Sequence, residues 1–300
     1  MKKVHILMST YNGEKYISDQ IDSLLNQHNV EISLSIRDDC SSDNTIKIIR
    51  TYIDRYSSIE LFTGENLRPA KSFIWLVEHC VNDSPYFAFC DQDDVWLPDK
   101  LYAAVEQLKE FDSKPALYYC STQNVNEILK PMDRLYTNPK HTTSLADSIA
   151  TGSLVPGCTI VFNQKLMSLL KKHNPQNITM HDTWVHLVCL TCGGIVIGDA
   201  TPHILYRQHG TNVIGSGKKS VISRLNKICH SNYQYSKMIT ELYFAYNEDA
   251  SDKSNTILKN YVGYQHNIKK QCLITEQTVL SNLCVKDKVF HLIKIWFNKF

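Results

Sequence analysis

The sequence predicts an α/β fold: a mostly parallel sheet flanked by helices, followed by a helical C-terminal extension. Three observations carry this. Short apolar runs rich in β-branched residues alternate with stretches whose apolar residues recur at helical spacing, as in strands joined by right-handed helical crossovers. Polar and acidic residues follow three of those runs at once, at the strand ends beyond which parallel sheets bind ligands. From about Ser220 the alternation stops and only helical periodicity remains.

Val4–Met8 (VHILM) forms the first strand, and Tyr16, Ile17, Gln20, Ile21, Leu24 and Leu25 mark the helix after it. Ile32–Ile36 is the second strand. The segment SSDNT caps the next helix, whose apolar face is Ile46, Ile49, Tyr52, Ile53 and Tyr56. Ile59–Phe62 is the third strand and Ser72–Val81 the third helix. Tyr86–Cys90 (YFAFC) is the fourth strand, with a helix from about Pro98 to Phe111. Between Leu117 and Phe162 the pattern weakens: ALYYC and CTIVF read as strands separated by loop-rich sequence.

Hydrophobic residues make up 43% and charged residues 21% of the 300, which excludes a disordered chain. The ten cysteines are scattered; Cys189 and Cys192 form a CxxC with no second pair at zinc spacing, and read as core thiols. No stretch approaches the ~20 apolar residues of a membrane span, and the start is not that of a signal peptide. These features lead to the expectation of a cytoplasmic protein with reduced thiols. The net charge of +2 conceals an asymmetry: residues 218–300 hold 13 Lys/Arg against 6 Asp/Glu, a basic tail on an acidic body.

The chemistry concentrates at the strand ends. Ser9, Thr10, Tyr11 and Asn12 follow the first strand, Arg37, Asp38 and Asp39 the second, and Asp91, Asp93 and Asp94 the fourth. Asn12 and Asp43 suit helix caps. Pro98 fits a first helical turn, so Asp99 is a helix-start charge and the cap lies near Leu97. Asp91 and Asp93 precede that helix by too much to cap it; carboxylates at i and i+2 on a turn can converge on a hard cation such as Mg²⁺. Neither a GxxxxGK[ST] loop nor a GxGxxG after the first strand is present, so a bound nucleotide would need a metal rather than a glycine cradle to neutralise its phosphates. Taken alone, Asp182 reads as a helix N-cap and Trp184 and Trp96 as core. His181 and His186, five apart, do not share a helix face for zinc.

The stretches MSTYNGEKYISDQIDSLLNQ, IRDDCSSDNT, GENLRPAKSF, FCDQDDVWLPDKL, GCTIVFNQKL, HDTWVHLV and ILYRQHGTNVIG, in this order over residues 1–217, resemble the family 2 glycosyltransferases of GT-A (Rossmann-like) fold. DQDDVW, HDTW and YRQHGTNVIG are most similar to its rhamnosyltransferase-type branch. The resemblance implies a GT-A domain over 1–217, a helical region over 218–300, and transfer of a sugar from a nucleotide-diphosphate donor (dTDP-L-rhamnose or a UDP-sugar) to a glycan or lipid-linked acceptor in surface polysaccharide synthesis. It implies Mg²⁺ or Mn²⁺ held by Asp93, with Asp91 and His209. Nucleotide contacts would come from Ser9, Tyr11, Glu14, Asp38, Asp39, Asp91 and Arg207. Asp182 matches the catalytic base of an inverting displacement, and Asp94 and Trp184 would face donor or acceptor sugar. Two positions depart from the family: Cys40 and Arg68 stand where glycine is usual. Cys40 would resist a left-handed turn, and Arg68 either touches the diphosphate or points to water. A sugar nucleotidyltransferase, a sugar-nucleotide hydrolase and a silent binding subunit are the competing expectations.

Val289, Leu292, Ile293, Trp296, Phe297 and Phe300 form one apolar stripe, flanked by lysines. A basic amphipathic helix of this kind suits a peripheral contact with an anionic membrane through 286–300; docking on its own domain or on a second subunit is the alternative. Gly210, Gly215 and Gly217 suggest a mobile lid after His209.

Overall fold

Strands β1 (Lys2–Thr10), β2 (Val30–Asp38), β3 (Ile59–Thr63) and β4 (Tyr86–Cys90) pair in parallel, in the spatial order β3-β2-β1-β4. The structure is a computed structural model that describes residues 1–81, 83–132, 143–153, 155–209 and 234–298; the 217/218 boundary, the glycine-rich segment after His209, and Phe300 lie outside them. Helices α1 (Ile17–Leu25), α2 (Thr45–Ile53) and α3 (Arg68–His79) make the crossovers. β4 is buried on both faces, as its uninterrupted apolar sequence requires.

Beyond β4 the sheet becomes mixed. Among the described residues it has eight strands, continuing from β4 through β7 (Val161–Asn163), β6 (Ala116–Val125) and β8 (Ile195–Arg207) to β5 (Val95–Trp96). β7 runs antiparallel to both β4 and β6, β6 and β8 are parallel, and β5 is antiparallel to β8. β8 and the two-residue β5 have little apolar alternation and were not expected. Helix α3 starts at Arg68 rather than Ser72, with Pro69 in its first turn. Helix α4 (Lys100–Leu108) has Asp99 at its N-cap position, with no side-chain cap bond. Asp99 instead reaches His203 Nδ1 at 3.0 Å.

The period of two along the strands separates two cores. Val4, Ile6, Met8, Tyr86, Ala88 and Tyr118 pack under α1, α2 and α4. Leu7, Phe87, Phe89, Leu117 and Phe162 face α3 and two further helices, α6 (Gln164–Leu170) and α7 (His181–Thr191), α5 (Leu145–Thr151) lying between these in the chain order of α3 to α7. The helical C-terminal region joins this second core. Helices α8 (Gln234–Tyr246), α9 (Asp252–Tyr261), α10 (Ile268–Val279) and α11 (Val285–Trp296) contribute Met238, Leu242, Tyr246, Leu258, Tyr261, Ile274 and Ile295 to it.

The predicted stripe of α11 is not its buried face. His291 and Ile295 are fully buried, with His291 Nε2 3.1 Å from the Tyr261 hydroxyl. Val289, Trp296 and Phe297 are exposed, and Leu292 and Ile293 half-buried. The helix docks through a flank in which a histidine, counted as polar in the sequence, finds a buried hydroxyl. No helix among the described residues is long and apolar enough to cross a membrane.

Candidate active site

The parallel register aligns the carboxyl ends of three strands: Thr10 faces Asp38, and Met8 faces Cys90. The segments just beyond them open into a cavity of about 590 Å³, a volume suited to a small ligand. Ser9, Tyr11, Asp39, Asp91, Asp93, Asp182 and His209 line it. Phe73 and Arg68 from α3, Gly157 and Cys158 from the turn before β7, and His181 at the start of α7 complete the wall.

The loop after β1 is set by backbone strain and side-chain ties. Asn12 is left-handed (φ 48°), and its side-chain Oδ1 accepts from the Ser42 backbone N–H at 2.8 Å. Gln92 bridges to the Tyr11 backbone in both directions, at 2.9 and 3.0 Å. A Cβ at Gly13 would fall 2.2 Å from the Gln92 Oε1, so glycine there permits the bridge. Cys40 adopts φ 67°, contrary to the expectation that it would resist a left-handed turn. The Asp38 carboxylate fixes that turn by accepting from Ser41 N–H and O–H at 2.8 and 2.6 Å, which offsets a strain of roughly 1–3 kcal/mol. Arg68 is left-handed too (φ 65°), and its side chain is exposed at the cavity wall.

At the acidic end, the carboxyl of Asp91 is pushed up to about 7 by loss of solvent, then by the charges of Asp93 and Asp182. Asp93 Oδ2 lies 2.8 Å from His209 Nε2, and His209 packs against the Tyr16 ring at 5.0 Å. Asp182, in the first turn of α7, is held through Oδ1 by the Thr183 backbone N–H at 2.5 Å. Burial pushes its carboxyl up to about 6. Asp39 is buried and ion-paired with Arg37, which also donates to the Glu65 carbonyl at 3.0 Å.

Five expected site residues point elsewhere. Glu14 accepts from the Asn44 backbone and side chain at 2.8 and 2.9 Å, so it secures the start of α2. Asp38 is spent on Thr10 and Ser41 and does not line the cavity. Arg207 is buried: Nε donates to the Asp93 carbonyl at 2.9 Å, Nη1 to the Glu127 carbonyl at 2.5 Å and Nη2 to Asp19 at 2.8 Å, over the face of Tyr16. This guanidinium is a brace rather than a phosphate contact. Asp94 is fully buried behind the loop and accepts from the Arg207 N–H at 3.0 Å; burial and the nearby Asp93 and Asp91 charges raise its carboxyl, so it is not aimed at a sugar. Trp184 is fully buried between Tyr246 and His173, on the core side of α7.

A hard divalent cation fits this arrangement. Asp91 and Asp93 offer carboxylate oxygens to one cavity, with His209 beside them and bonded to Asp93, and a cation there relieves the crowding that raises Asp91. Asp91, Asp94 and Cys158 also bring one donor atom each within 4.8 Å of one another. Asp94 and Cys158 are buried, however, and loss of solvent raises both groups, so that grouping is a poorer seat.

The fold and the acidic cavity at its strand ends define a GT-A glycosyltransferase. The sequence profile described as glycosyl transferase family 2 matches residues 5–170. The chain belongs to this family. A dTDP-rhamnosyl transferase of Shigella flexneri, RfbG, is 30% identical over 85% of this chain and 90% of its own length. An uncharacterized glycosyltransferase of Haemophilus influenzae is 28% identical over 74% of this chain and 83% of its own. Among solved structures, S. aureus TarS 1-349 in complex with UDP-GlcNAc covers 98% of this chain and 79% of its own, with a TM-score of 0.60 at 16% identity. The mannosyltransferase PcManGT of Pyrobaculum calidifontis, in complex with GDP-Man and Mn²⁺, covers 99% and 88%, with a TM-score of 0.53 at 14% identity.

Proposed function

We propose that this glycosyltransferase moves rhamnose from dTDP-L-rhamnose, with inversion, to a hydroxyl of a glycan or lipid-linked acceptor in surface polysaccharide synthesis. Mg²⁺ or Mn²⁺ is its cofactor. The observation that carries the reading is one cavity holding Asp91, Asp93 and His209 together with Asp182. The relative of 30% identity, a dTDP-rhamnosyl transferase, supports the donor.

Asp91, Asp93 and His209 would hold the cation, which when bound supplies positive charge to the leaving diphosphate. Ser9, Tyr11 and Asp39 surround the nucleotide, and Arg68 reaches the diphosphate from the rim. Asp182 accepts the proton of the attacking acceptor hydroxyl through its carboxylate. Its raised value brings it close to neutral pH, where a general base is most effective. A single in-line displacement needs no nucleophilic side chain.

The test is a donor screen: dTDP-rhamnose, UDP-glucose, UDP-galactose and UDP-GlcNAc, each with Mn²⁺ and with EDTA, read by thermal shift. The largest shift is expected with dTDP-rhamnose and Mn²⁺. A shift with none of the four counts against the transferase reading. Free sugar released at full rate without acceptor indicates a hydrolase instead.

A further inference from the structure

His181 lies on the wall of the cavity, one residue before the proposed base, and is 3% exposed. Among the described residues, neither of its ring nitrogens has a hydrogen-bond partner. Its ring stacks on Phe73 with centroids 3.9 Å apart and meets the edge of Phe89 at 5.0 Å. A Cβ at residue 157 would lie 2.5 Å from His181 Nε2, so glycine there lets the ring pack directly against the backbone. Burial lowers the imidazole to about 3, so it is uncharged at neutral pH.

For packing alone, a phenyl ring would serve this site better. Two buried nitrogens without partners only cost the ligand-free protein stability. An uncharged imidazole donates from one nitrogen and accepts at the other, and a sugar hydroxyl does both as well. Since Asp182 is adjacent, any hydroxyl held here lies next to the reacting centre.

We propose that His181 reads a hydroxyl of the donor sugar and thereby sets donor specificity. This deepens the function proposed above and rests on it. His181 is closed in by Phe73, Phe89 and Gly157, so only a group seated inside the cavity can meet its ring.

The experiment is calorimetry in Mn²⁺ with dTDP and with dTDP-rhamnose, on the full chain and on His181→Phe and His181→Asn. In His181→Phe, dTDP should bind within about twofold of the unsubstituted protein, while dTDP-rhamnose loses roughly tenfold. The melting temperature of the ligand-free His181→Phe protein should be unchanged or raised, the opposite of what a structural histidine predicts. His181→Asn, which keeps a donor and an acceptor, should recover part of the sugar-dependent affinity. Undiminished binding of dTDP-rhamnose by His181→Phe overturns the proposal, and so does a parallel loss of dTDP. If the unsubstituted protein binds dTDP-rhamnose no tighter than dTDP, the donor assignment has failed. The same comparison of UDP-glucose or UDP-GlcNAc with UDP then decides His181 separately. A sugar contribution absent from every pair overturns it.

Discussion

His209 Nε2 and Asp93 Oδ2 meet at 2.8 Å across 116 residues of chain. The contact ties the loop after β4 to the end of β8, the two segments that close the acidic side of the cavity. Both residues line that cavity, and the Tyr16 ring orients the imidazole. If they hold a cation together, His209→Ala should weaken Mn²⁺-dependent nucleotide binding by ~10–100-fold, as loss of a metal-site partner commonly does. Titration of Mn²⁺ at fixed dTDP checks this. Affinity in EDTA should be nearly unchanged, and a matching loss in EDTA would assign His209 to the nucleotide instead.

Asp182 yields a pH prediction. With its carboxyl at about 6, the base is deprotonated only above that pH. Transfer efficiency should therefore climb as pH rises through about 6 and level off beyond it. Asp182→Asn should abolish this limb and lower kcat by roughly 10²–10⁴-fold; full activity in this variant would exclude Asp182 as base.

The same groups make stability depend on pH. Asp91 at about 7 and Asp182 at about 6 lie above the ordinary carboxylate value of 3.8, so the folded metal-free protein holds these protons more firmly than the unfolded chain. Their contribution to stability is complete below 3.8 and is lost as pH rises through 6 to 7. Scanning calorimetry should show the metal-free melting temperature falling between about pH 4 and 7, with the largest Mn²⁺-induced gain at the upper end. A gain independent of pH would show that the cation does not displace these protons.

Much of this site was legible because strand ends can be located from apolar runs, and the runs at Val4–Met8, Ile32–Ile36 and Tyr86–Cys90 are sharply bounded. Their neighbours Ser9, Asp39, Asp91 and Asp93 then fell in one place. Side-chain direction was not legible. Asp38 and Asp39 are adjacent, yet only Asp39 lines the cavity, because Asp38 is needed by Ser41 and Thr10. Trp184 faces the core because α7 is buried on all sides, and its sequence carries no polar face to indicate which side meets the site. Arg207 and Asp94 depend on β8, a strand too irregular to predict; Gln92 and His181 gain meaning only from partners distant in sequence, or from the lack of them.

Arg207 separates a brace from a phosphate ligand. Its guanidinium spans the Asp93 carbonyl, the Glu127 carbonyl and Asp19, and lysine cannot bridge three directions. Arg207→Lys should cost on the order of 2–4 kcal/mol in stability, measured by urea unfolding, because the buried cation loses most of its hydrogen bonds. At a temperature where the variant is folded, its affinity for dTDP in EDTA should match that of the unsubstituted protein. A weakened dTDP affinity with unchanged stability would restore the phosphate role that the sequence suggested.

Among the described residues, the exposed side of α11 is a face on which contact with a membrane can be tested. Val285 and Phe297 are 78% and 71% exposed, Val289 and Trp296 stand beside them, and Lys286 is exposed on the same helix. His291 and Ile295 dock the opposite flank, and although the Trp296 indole N–H reaches the Thr275 hydroxyl at 3.0 Å, Val289 and Phe297 stand outside the core. If this exposed side meets an anionic bilayer, the full chain should sediment with phosphatidylglycerol vesicles, less at high salt, and weakly with phosphatidylcholine alone. Val289→Asp with Phe297→Ser should reduce that binding by on the order of tenfold, through lost apolar burial at the interface, and leave the melting temperature unchanged. Equal sedimentation of the variant, or equal binding to neutral vesicles, would remove the membrane from the account. A monomer–dimer equilibrium abolished by the same substitutions would assign the face to a second copy of the chain.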